Sequence, residues 1–158
     1  MNGVMGMAEL LARTDLDQRQ AMFVDVIAST RLAAELPPVE LLAMLNSLFD
    51  ATVRVVTGNG GWVNKFDGDA ALCIFGAPAH QPDHAARALR AAARLPAEVA
   101  KLPDAPGVGI GVATGSVVAG NIGTAERYEY TVIGDAVNVA ARLTELAKSR
   151  QPRVLASA

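Results

Sequence analysis

The stretch Met22-Phe23-Val24-Asp25-Val26-Ile27 decides the fold, because it is an apolar run of strand length that contains a single charged side chain. Valine and isoleucine favour strands, and a strand covered on both faces has an almost continuous apolar sequence. We therefore expect a buried strand over residues 21–27. An ionised carboxylate is costly in such a strand unless something neutralises it. Asp25 is therefore expected either to cap the turn that follows or to bind a cation.

A second carboxylate lies in a similar sequence context. Asp69 follows the Asp67-Gly68 turn and opens the apolar run of residues 70–75. Asp-Gly is a typical hairpin turn, so residues 62–66 are expected to pair with residues 70–75, which can also lie beside the first strand. By itself Asp69 is more simply a polar turn residue. Next to Asp25, it would complete a pair of carboxylates for a hard divalent cation such as Mg²⁺ or Mn²⁺.

The composition indicates one folded domain. The chain has 158 residues, of which 51% are hydrophobic and 19% charged, and its formal net charge of −2 argues against a nucleic-acid-binding surface. Its one cysteine, Cys73, cannot form an internal disulfide, which is typical of a reducing compartment. No apolar run is long enough to span a bilayer, and the first residues do not resemble a signal peptide. We expect a cytoplasmic domain without direct membrane insertion, although its parent protein can be attached to a membrane.

The order of the predicted elements defines an α+β class. Apolar residues at helical spacing indicate three long helices, which run from Pro38 to the glycine-rich stop at 58–61, from about 83 to 100, and from 134 to 147. Further strands are expected over residues 107–113, 116–122, 131–133 and 153–155. The polar segment 123–130 is expected to be an exposed excursion. The order βαββαβ plus a C-terminal α and β is that of the ferredoxin-like split βαβ fold, an antiparallel sheet with helices packed on one face.

Phosphate groups have one candidate binding segment near Asp25. Ala28, Ser29 and Thr30 follow the first strand and begin a helical turn, so their backbone N–H groups can face phosphate oxygens. Lys65 precedes the hairpin turn, where a solvated lysine is the simpler interpretation.

The third helix carries a polar pair. Asn138 and Arg142 are spaced i, i+4 on the stripe opposite Val139, Leu143 and Leu146, which are expected to bury the other face. An amide and a guanidinium at this spacing can orient a ribose and hold a phosphate. A solvated face with an Arg142–Glu145 contact explains them equally well, and the spacing does not decide between the two interpretations.

Three stretches together resemble, in order and spacing, the class III nucleotidyl cyclases, and most closely the bacterial, mycobacterial-like adenylyl cyclases. They are Phe23-Val-Asp-Val-Ile-Ala-Ser-Thr30, Asn64-Lys-Phe-Asp-Gly-Asp69 and Thr131-Val-Ile-Gly-Asp-Ala-Val-Asn-Val-Ala-Ala-Arg142. The resemblance covers about residues 18–158 and implies a cyclase homology domain there, with residues 1–17 a linker or an artificial lead-in. Family members usually continue through a further hairpin with a basic phosphate-binding residue, so the domain is expected to be truncated at its C-terminal hairpin.

The resemblance implies a role for each candidate residue. Two metal ions, Mg²⁺ or Mn²⁺, are bound by Asp25, Asp69 and the carbonyl of Val26. The β- and γ-phosphates are held by Ala28, Ser29 and Thr30. The adenine is read by Lys65 and Thr131, and the transition state is stabilised by Asn138 and Arg142. In this family the metal ligands come from one subunit and the last four residues from its partner, so a homodimer carries two sites.

The implied activity is that of an adenylyl cyclase, which converts ATP to 3′,5′-cyclic AMP and pyrophosphate by two-metal-ion catalysis at the dimer interface. Two alternatives stay open. A guanylyl cyclase is disfavoured by Lys65, because guanine presents an N1–H that requires an acceptor such as glutamate. Thr131 replaces an aspartate that many adenylyl cyclases have, but threonine can still accept from the adenine amine. The second alternative is a non-catalytic nucleotide-binding or dimerisation module.

Overall fold

The computed structural model describes residues 18–158, and the predicted lead-in, residues 1–17, lies outside the described residues. The strands of the described chain are β1 (Gln18–Val26), β2 (Trp62–Asp67), β3 (Ala70–Phe75), β4 (Val108–Thr124), β5 (Arg127–Gly134) and β6 (Val154–Ala156). Its helices are α1 (Ser29–Glu35), α2 (Pro38–Gly58), α3 (His84–Ala100) and α4 (Asp135–Lys148). The element order confirms the predicted α+β class, including the additional helix and strand at the end.

The strands form one sheet in the order β2-β3-β1-β4-β5, with β6 added in parallel beside β4. The pairings between the first five strands are all antiparallel. β1 is central, because it pairs with β3 on one side and with the first half of β4 on the other. In this register Asp25 lies opposite Ala70 of β3 and Gly109 of β4. The predicted placement of the hairpin beside the first strand is therefore confirmed.

Alternate residues of β1 face two different apolar cores. Met22, Val24 and Val26 pack in a cluster with α2 and α3, whereas Ala21 and Phe23 pack in a second cluster with α4. The expected one-face arrangement therefore holds for α2 and α3 but not for α4. Because β1 has apolar side chains at consecutive positions, both of its faces must be covered, and α4 covers the second one.

The stretch predicted as two strands, 107–113 and 116–122, is the single strand β4. Its first half pairs with β1 as far as Ser116, and its second half pairs with β5 from Val117 onward. The strand therefore changes its partner between Ser116 and Val117 where the sequence predicted a break. Its backbone hydrogen bonds continue through this position.

The segment predicted as an exposed excursion, residues 123–130, belongs instead to the β4–β5 hairpin. Gly123 enables the tight end of this hairpin, because its φ is +142° and a Cβ there would lie 2.1 Å from the carbonyl oxygen of Arg127. The polar side chains that suggested a loop are exposed on the hairpin, as expected for a two-stranded extension beyond the core.

Helix α4 is buried along a stripe of small side chains. The residues in this stripe are Ala136, Ala140, Thr144 and Ala147. The predicted apolar face is confirmed only in part: Val139 and Leu143 are half-buried and pack against the second core cluster, but Leu146 is 50% exposed. Small residues occupy the buried stripe because the helix lies close to β4. A Cβ at Gly111 would be 2.3 Å from the carbonyl oxygen of Ala140.

None of the helices within residues 18–158 combines the length and the hydropathy that a membrane span requires.

Candidate functional site

Asp25 and Asp69, the two predicted metal ligands, lie side by side at the end of β1. The Val26 N–H donates to the backbone carbonyl of Asp69 at 3.4 Å, which holds the start of β3 against the end of β1. Burial raises the pKa of Asp25, and the neighbouring Asp69 carboxylate raises it further by charge repulsion. Two carboxylates in such proximity repel each other. A cation bound between them relieves this repulsion, so the pair attracts a cation more strongly than either carboxylate does alone.

The two oxygens of the Asp25 carboxylate have different environments. Oδ1 is buried and has no hydrogen-bond partner. Oδ2 accepts a hydrogen bond of 2.7 Å from the Lys148 ammonium. A buried carboxylate oxygen without a partner is costly, so Oδ1 is the atom of this site that most lacks a compensating contact.

Lys148, the last residue of α4, is a member of this site that the sequence analysis missed. Its ammonium also contacts the Glu145 carboxylate at 2.6 Å. Burial lowers the pKa of Lys148, but the hydrogen bonds to Asp25 and Glu145 outweigh this effect, so the pKa lies above its usual value. The only local signal was a basic residue in the last turn of a helix, which is common. The contact with Asp25 joins residues separated by 123 positions, and no sequence pattern indicates it.

The donor set fits a hard divalent cation that keeps water or substrate oxygens in its coordination shell. Residues 18–158 contain no group of three or more His, Cys, Asp or Glu side chains arranged around one point. The two carboxylates and the carbonyl of Val26 remain the predicted protein ligands. Mg²⁺ commonly uses one or two carboxylates together with phosphate oxygens and water, which agrees with such a small set.

A pocket of about 350 Å³ is lined by one of the two carboxylates, that of Asp69. Its polar lining residues are Asp69, Ser29 and Thr30, and its apolar lining residues are Val26, Leu32, Ala33, Leu41, Met44 and Leu45. Ser29 and Thr30 are the first residues of α1, where backbone N–H groups lack partners within the helix. Ala28 precedes them in the left-handed conformation, with φ 55°, a strained position that redirects the chain from β1 into α1. The turn predicted to hold phosphates thus shares this pocket with Asp69.

Lys65 and Thr131, predicted to read the base, lie on strands whose side chains contact each other. The Asn64 side-chain amide donates to the Tyr130 carbonyl at 3.3 Å, and the rings of Trp62 and Tyr130 lie 5.9 Å apart. Thr131 is buried and Lys65 is half-buried. The structure therefore places the two candidates in neighbouring segments, although 66 positions separate Asn64 from Tyr130.

Asn138 and Arg142 are both exposed on α4, as their spacing predicted. Within residues 18–158, no hydrogen bond or ion pair joins either of them to Asp25 or Asp69. One chain thus presents two separate sets of candidates, with the carboxylates in one and the amide–guanidinium pair in the other.

Comparison with known proteins assigns the fold to a family. The sequence profile of the family described as adenylate and guanylate cyclase catalytic domain matches residues 12–158, and the chain belongs to this family. It is 51% identical over 139 residues to the uncharacterized protein Rv1318c of Mycobacterium tuberculosis, a match that covers 87% of this chain and 25% of the relative. The chain therefore spans about a quarter of the length of that relative.

Solved structures of both nucleotide specificities share the fold. A bacterial light-regulated adenylyl cyclase superposes with a TM-score of 0.81 at 28% identity, over 89% of this chain and 43% of that one. A guanylyl cyclase superposes with a TM-score of 0.78 at 31% identity, over 82% and 70%. The predicted family and fold class are confirmed, while similarity of this degree to both kinds of cyclase leaves the base open.

Proposed function

We propose that this chain is the catalytic domain of an adenylyl cyclase, which forms 3′,5′-cyclic AMP and pyrophosphate from ATP in a homodimer. The single observation that carries the proposal is the carboxylate pair of Asp25 and Asp69 beside the start of α1. A nucleoside triphosphate binds together with divalent cations. Its site therefore needs negatively charged ligands for the cations and backbone N–H groups for the phosphates. Membership of the cyclase family agrees with it.

Asp25, Asp69 and the Val26 carbonyl would hold two ions of Mg²⁺ or Mn²⁺. Bound there, the ions supply activation of the ribose 3′-hydroxyl and neutralisation of the pyrophosphate. The N–H groups of Ala28, Ser29 and Thr30 bind the β- and γ-phosphates, which orients the α-phosphorus for in-line attack. The 3′ oxygen forms a bond to the α-phosphorus, the bond to pyrophosphate breaks, and the 3′ proton passes to solvent.

Asn138 and Arg142 would complete the site from the second copy of the chain. Both side chains are exposed and are not joined to Asp25 or Asp69 by hydrogen bonds or ion pairs in the described part of the chain. In the proposed dimer, Asn138 orients the ribose and the Arg142 guanidinium stabilises negative charge that develops on the α-phosphate. Each dimer then has two equivalent sites, as expected for a two-fold arrangement.

Lys65 and Thr131 would select adenine. The Lys65 ammonium donates to a ring nitrogen of adenine, and the Thr131 hydroxyl accepts from the exocyclic amine. The contact between β2 and β5 supports their joint action, because it brings their neighbours Asn64 and Tyr130 within 3.3 Å.

Guanylyl cyclase activity is the second candidate, favoured by the 31% identity to a solved guanylyl cyclase. The two activities are separated by supplying ATP or GTP with Mn²⁺ and measuring cyclic AMP and cyclic GMP over a range of protein concentrations. We expect cyclic AMP alone, with a specific activity that rises with concentration as dimers form. Asp25→Ala should abolish it. If neither product forms at high protein concentration, with Mn²⁺ or with Mg²⁺, a non-catalytic nucleotide-binding module is left.

A further inference from the structure

The carboxylate pair already has a cation of its own. Lys148 Nζ lies 2.7 Å from Asp25 Oδ2, and both side chains are largely buried, with 21% and 19% exposed. The same ammonium lies 2.6 Å from Glu145, whose side chain is 67% exposed. Lys148 is therefore shared between a partly buried acceptor at the metal site and a solvated acceptor on its own helix.

The packing of α4 brings Lys148 to this position. Gly109 is the residue of β4 directly opposite Asp25. A Cβ at Gly109 would lie 2.8 Å from Lys148 Cγ and 2.8 Å from the carbonyl oxygen of Thr144. The glycine thus leaves the space through which the lysine stem passes over the sheet to reach Asp25, and the contact follows from the fold rather than from a flexible surface side chain.

Lys148 and a divalent ion compete for Asp25. The ammonium occupies Oδ2, and Oδ1 is buried without a partner. An ion bound to Asp25 and Asp69 brings a double positive charge beside the ammonium, and like charges at such separation repel strongly where water is partly excluded. Glu145 offers Lys148 a second acceptor, so the ammonium can leave Asp25 without losing all of its partners.

We propose that Lys148 is the resident counter-ion of the metal-free site, and that a divalent cation displaces it from Asp25. Lys148 then sets the metal affinity of the site by making each binding event break an ion pair. This inference rests on the proposed function in one respect, namely that Asp25 is a metal ligand. The opposite possibility is that Lys148 holds Asp25 in the geometry that binds metal, and the two possibilities predict changes of opposite sign.

The test compares Mn²⁺ binding by the full chain and by Lys148→Met, measured without nucleotide by electron paramagnetic resonance and by the rise of the thermal unfolding midpoint with Mn²⁺. We expect Lys148→Met to bind Mn²⁺ about twofold to fivefold more tightly, the range expected when a partly exposed ion pair no longer opposes binding. Lys148→Arg keeps the positive charge and should bind like wild type. Lys101→Met is the matched control, since Lys101 is paired with Glu98 at the end of α3.

Equal or weaker Mn²⁺ binding by Lys148→Met would overturn the proposal.

A second measurement, on the wild-type chain, avoids any effect of substitution on folding. The rate of acetylation of Lys148 is followed by mass spectrometry with and without Mn²⁺, and Lys101 serves as the internal reference. Displacement from Asp25 should raise the Lys148 rate severalfold while the Lys101 rate stays constant. An unchanged or slower Lys148 rate at saturating Mn²⁺ would contradict displacement.

Failure of this inference differs from failure of the proposed function. If wild type binds Mn²⁺ and makes cyclic AMP but Lys148→Met binds no more tightly, only the role of Lys148 is lost. If Lys148→Met binds more tightly but neither ATP nor GTP is converted, the counter-ion role stands and the enzymatic proposal is lost. If neither wild type nor Lys148→Met binds Mn²⁺, both proposals are overturned.

Discussion

Asp25 carries its negative charge at a cost in the metal-free chain. Its pKa is raised by burial, opposed by the Lys148 hydrogen bond and raised further by Asp69. A carboxyl whose pKa is higher in the folded than in the unfolded chain takes up a proton first in the folded state, so stability increases as the pH falls through the raised pKa. Above that pH the ionised group destabilises the fold.

The first prediction concerns Asp25→Asn in the absence of metal. Because the amide removes the buried charge and can still accept from Lys148, we expect the unfolding midpoint at neutral pH to rise. The gain should shrink as the pH falls and wild-type Asp25 becomes protonated. Thermal unfolding at several pH values measures both effects. Asp50→Asn is the control, since Asp50 is 72% exposed and pairs only with Arg54 among the described ion pairs. A lower midpoint for Asp25→Asn would mean that the Lys148 ion pair outweighs the burial of the charge.

Cys73 provides a second prediction at the scale of one residue. Its thiol is completely buried, and burial raises its pKa to about 12. Since only the thiolate is strongly nucleophilic, native chain at neutral pH should not react with iodoacetamide, and labelling should follow unfolding. The double variant Cys73→Ala/Ser149→Cys carries an exposed thiol at the end of α4 and should react at once. Rapid labelling of native wild type would contradict the packing of β3.

The element that depends most on close packing is α4. A Cβ at Gly111 would lie 2.3 Å from the carbonyl oxygen of Ala140 and 2.5 Å from the backbone N of Thr144. These are backbone atoms of a helix, which cannot move without displacing α4 from the sheet.

We therefore expect Gly111→Ala to reduce the free energy of unfolding by about 1–3 kcal/mol or more, the usual cost of overpacking. Urea denaturation measures it. Gly58→Ala is the matched control, because Gly58 ends α2 and a Cβ there meets nothing within 4 Å. That control should stabilise by a few tenths to about 1 kcal/mol. If Gly111→Ala left the free energy of unfolding unchanged, α4 would have to lie further from β4 than the structure shows.

Sequence periodicity predicted α4 itself but placed its buried face only partly correctly, since the most buried side chains are those of Ala136, Ala140, Thr144 and Ala147. Val139, Leu143 and Leu146 are larger and more hydrophobic than the alanines, and periodicity weighs hydrophobicity rather than available space. Gly111 lets α4 approach β4 so closely that only small side chains fit between them at this point. The exposed positions of Asn138 and Arg142 were nevertheless predicted correctly, since either choice of apolar stripe leaves them outside.

For the whole molecule, the proposed dimer predicts complementation between inactive variants. Asp25→Ala lacks the metal half of a site and Arg142→Ala lacks the other half, so each alone should be inactive. An equal mixture forms mixed dimers in which one of the two sites is intact, which should restore about a quarter of the wild-type cyclic AMP production. A mixture of Asp25→Ala with Asp69→Ala is the control and should stay inactive, because both changes affect the same half. Failure of the first mixture, with exchange of subunits demonstrated, would place all site residues in one chain.

The amino-acid sequence by itself determined the α+β class, the cyclase family and the pairing of Asp25 with Asp69. Each depends on local patterns, such as apolar runs, an Asp-Gly turn and three spaced motifs. Such patterns can be recognised without knowing how distant segments pack together. Only the tertiary structure decided that β4 is continuous, that α4 covers the second face of the sheet, and that Lys148 reaches Asp25. These features depend on how closely two distant segments approach, and that distance is set by glycines and alanines that carry little signal of their own.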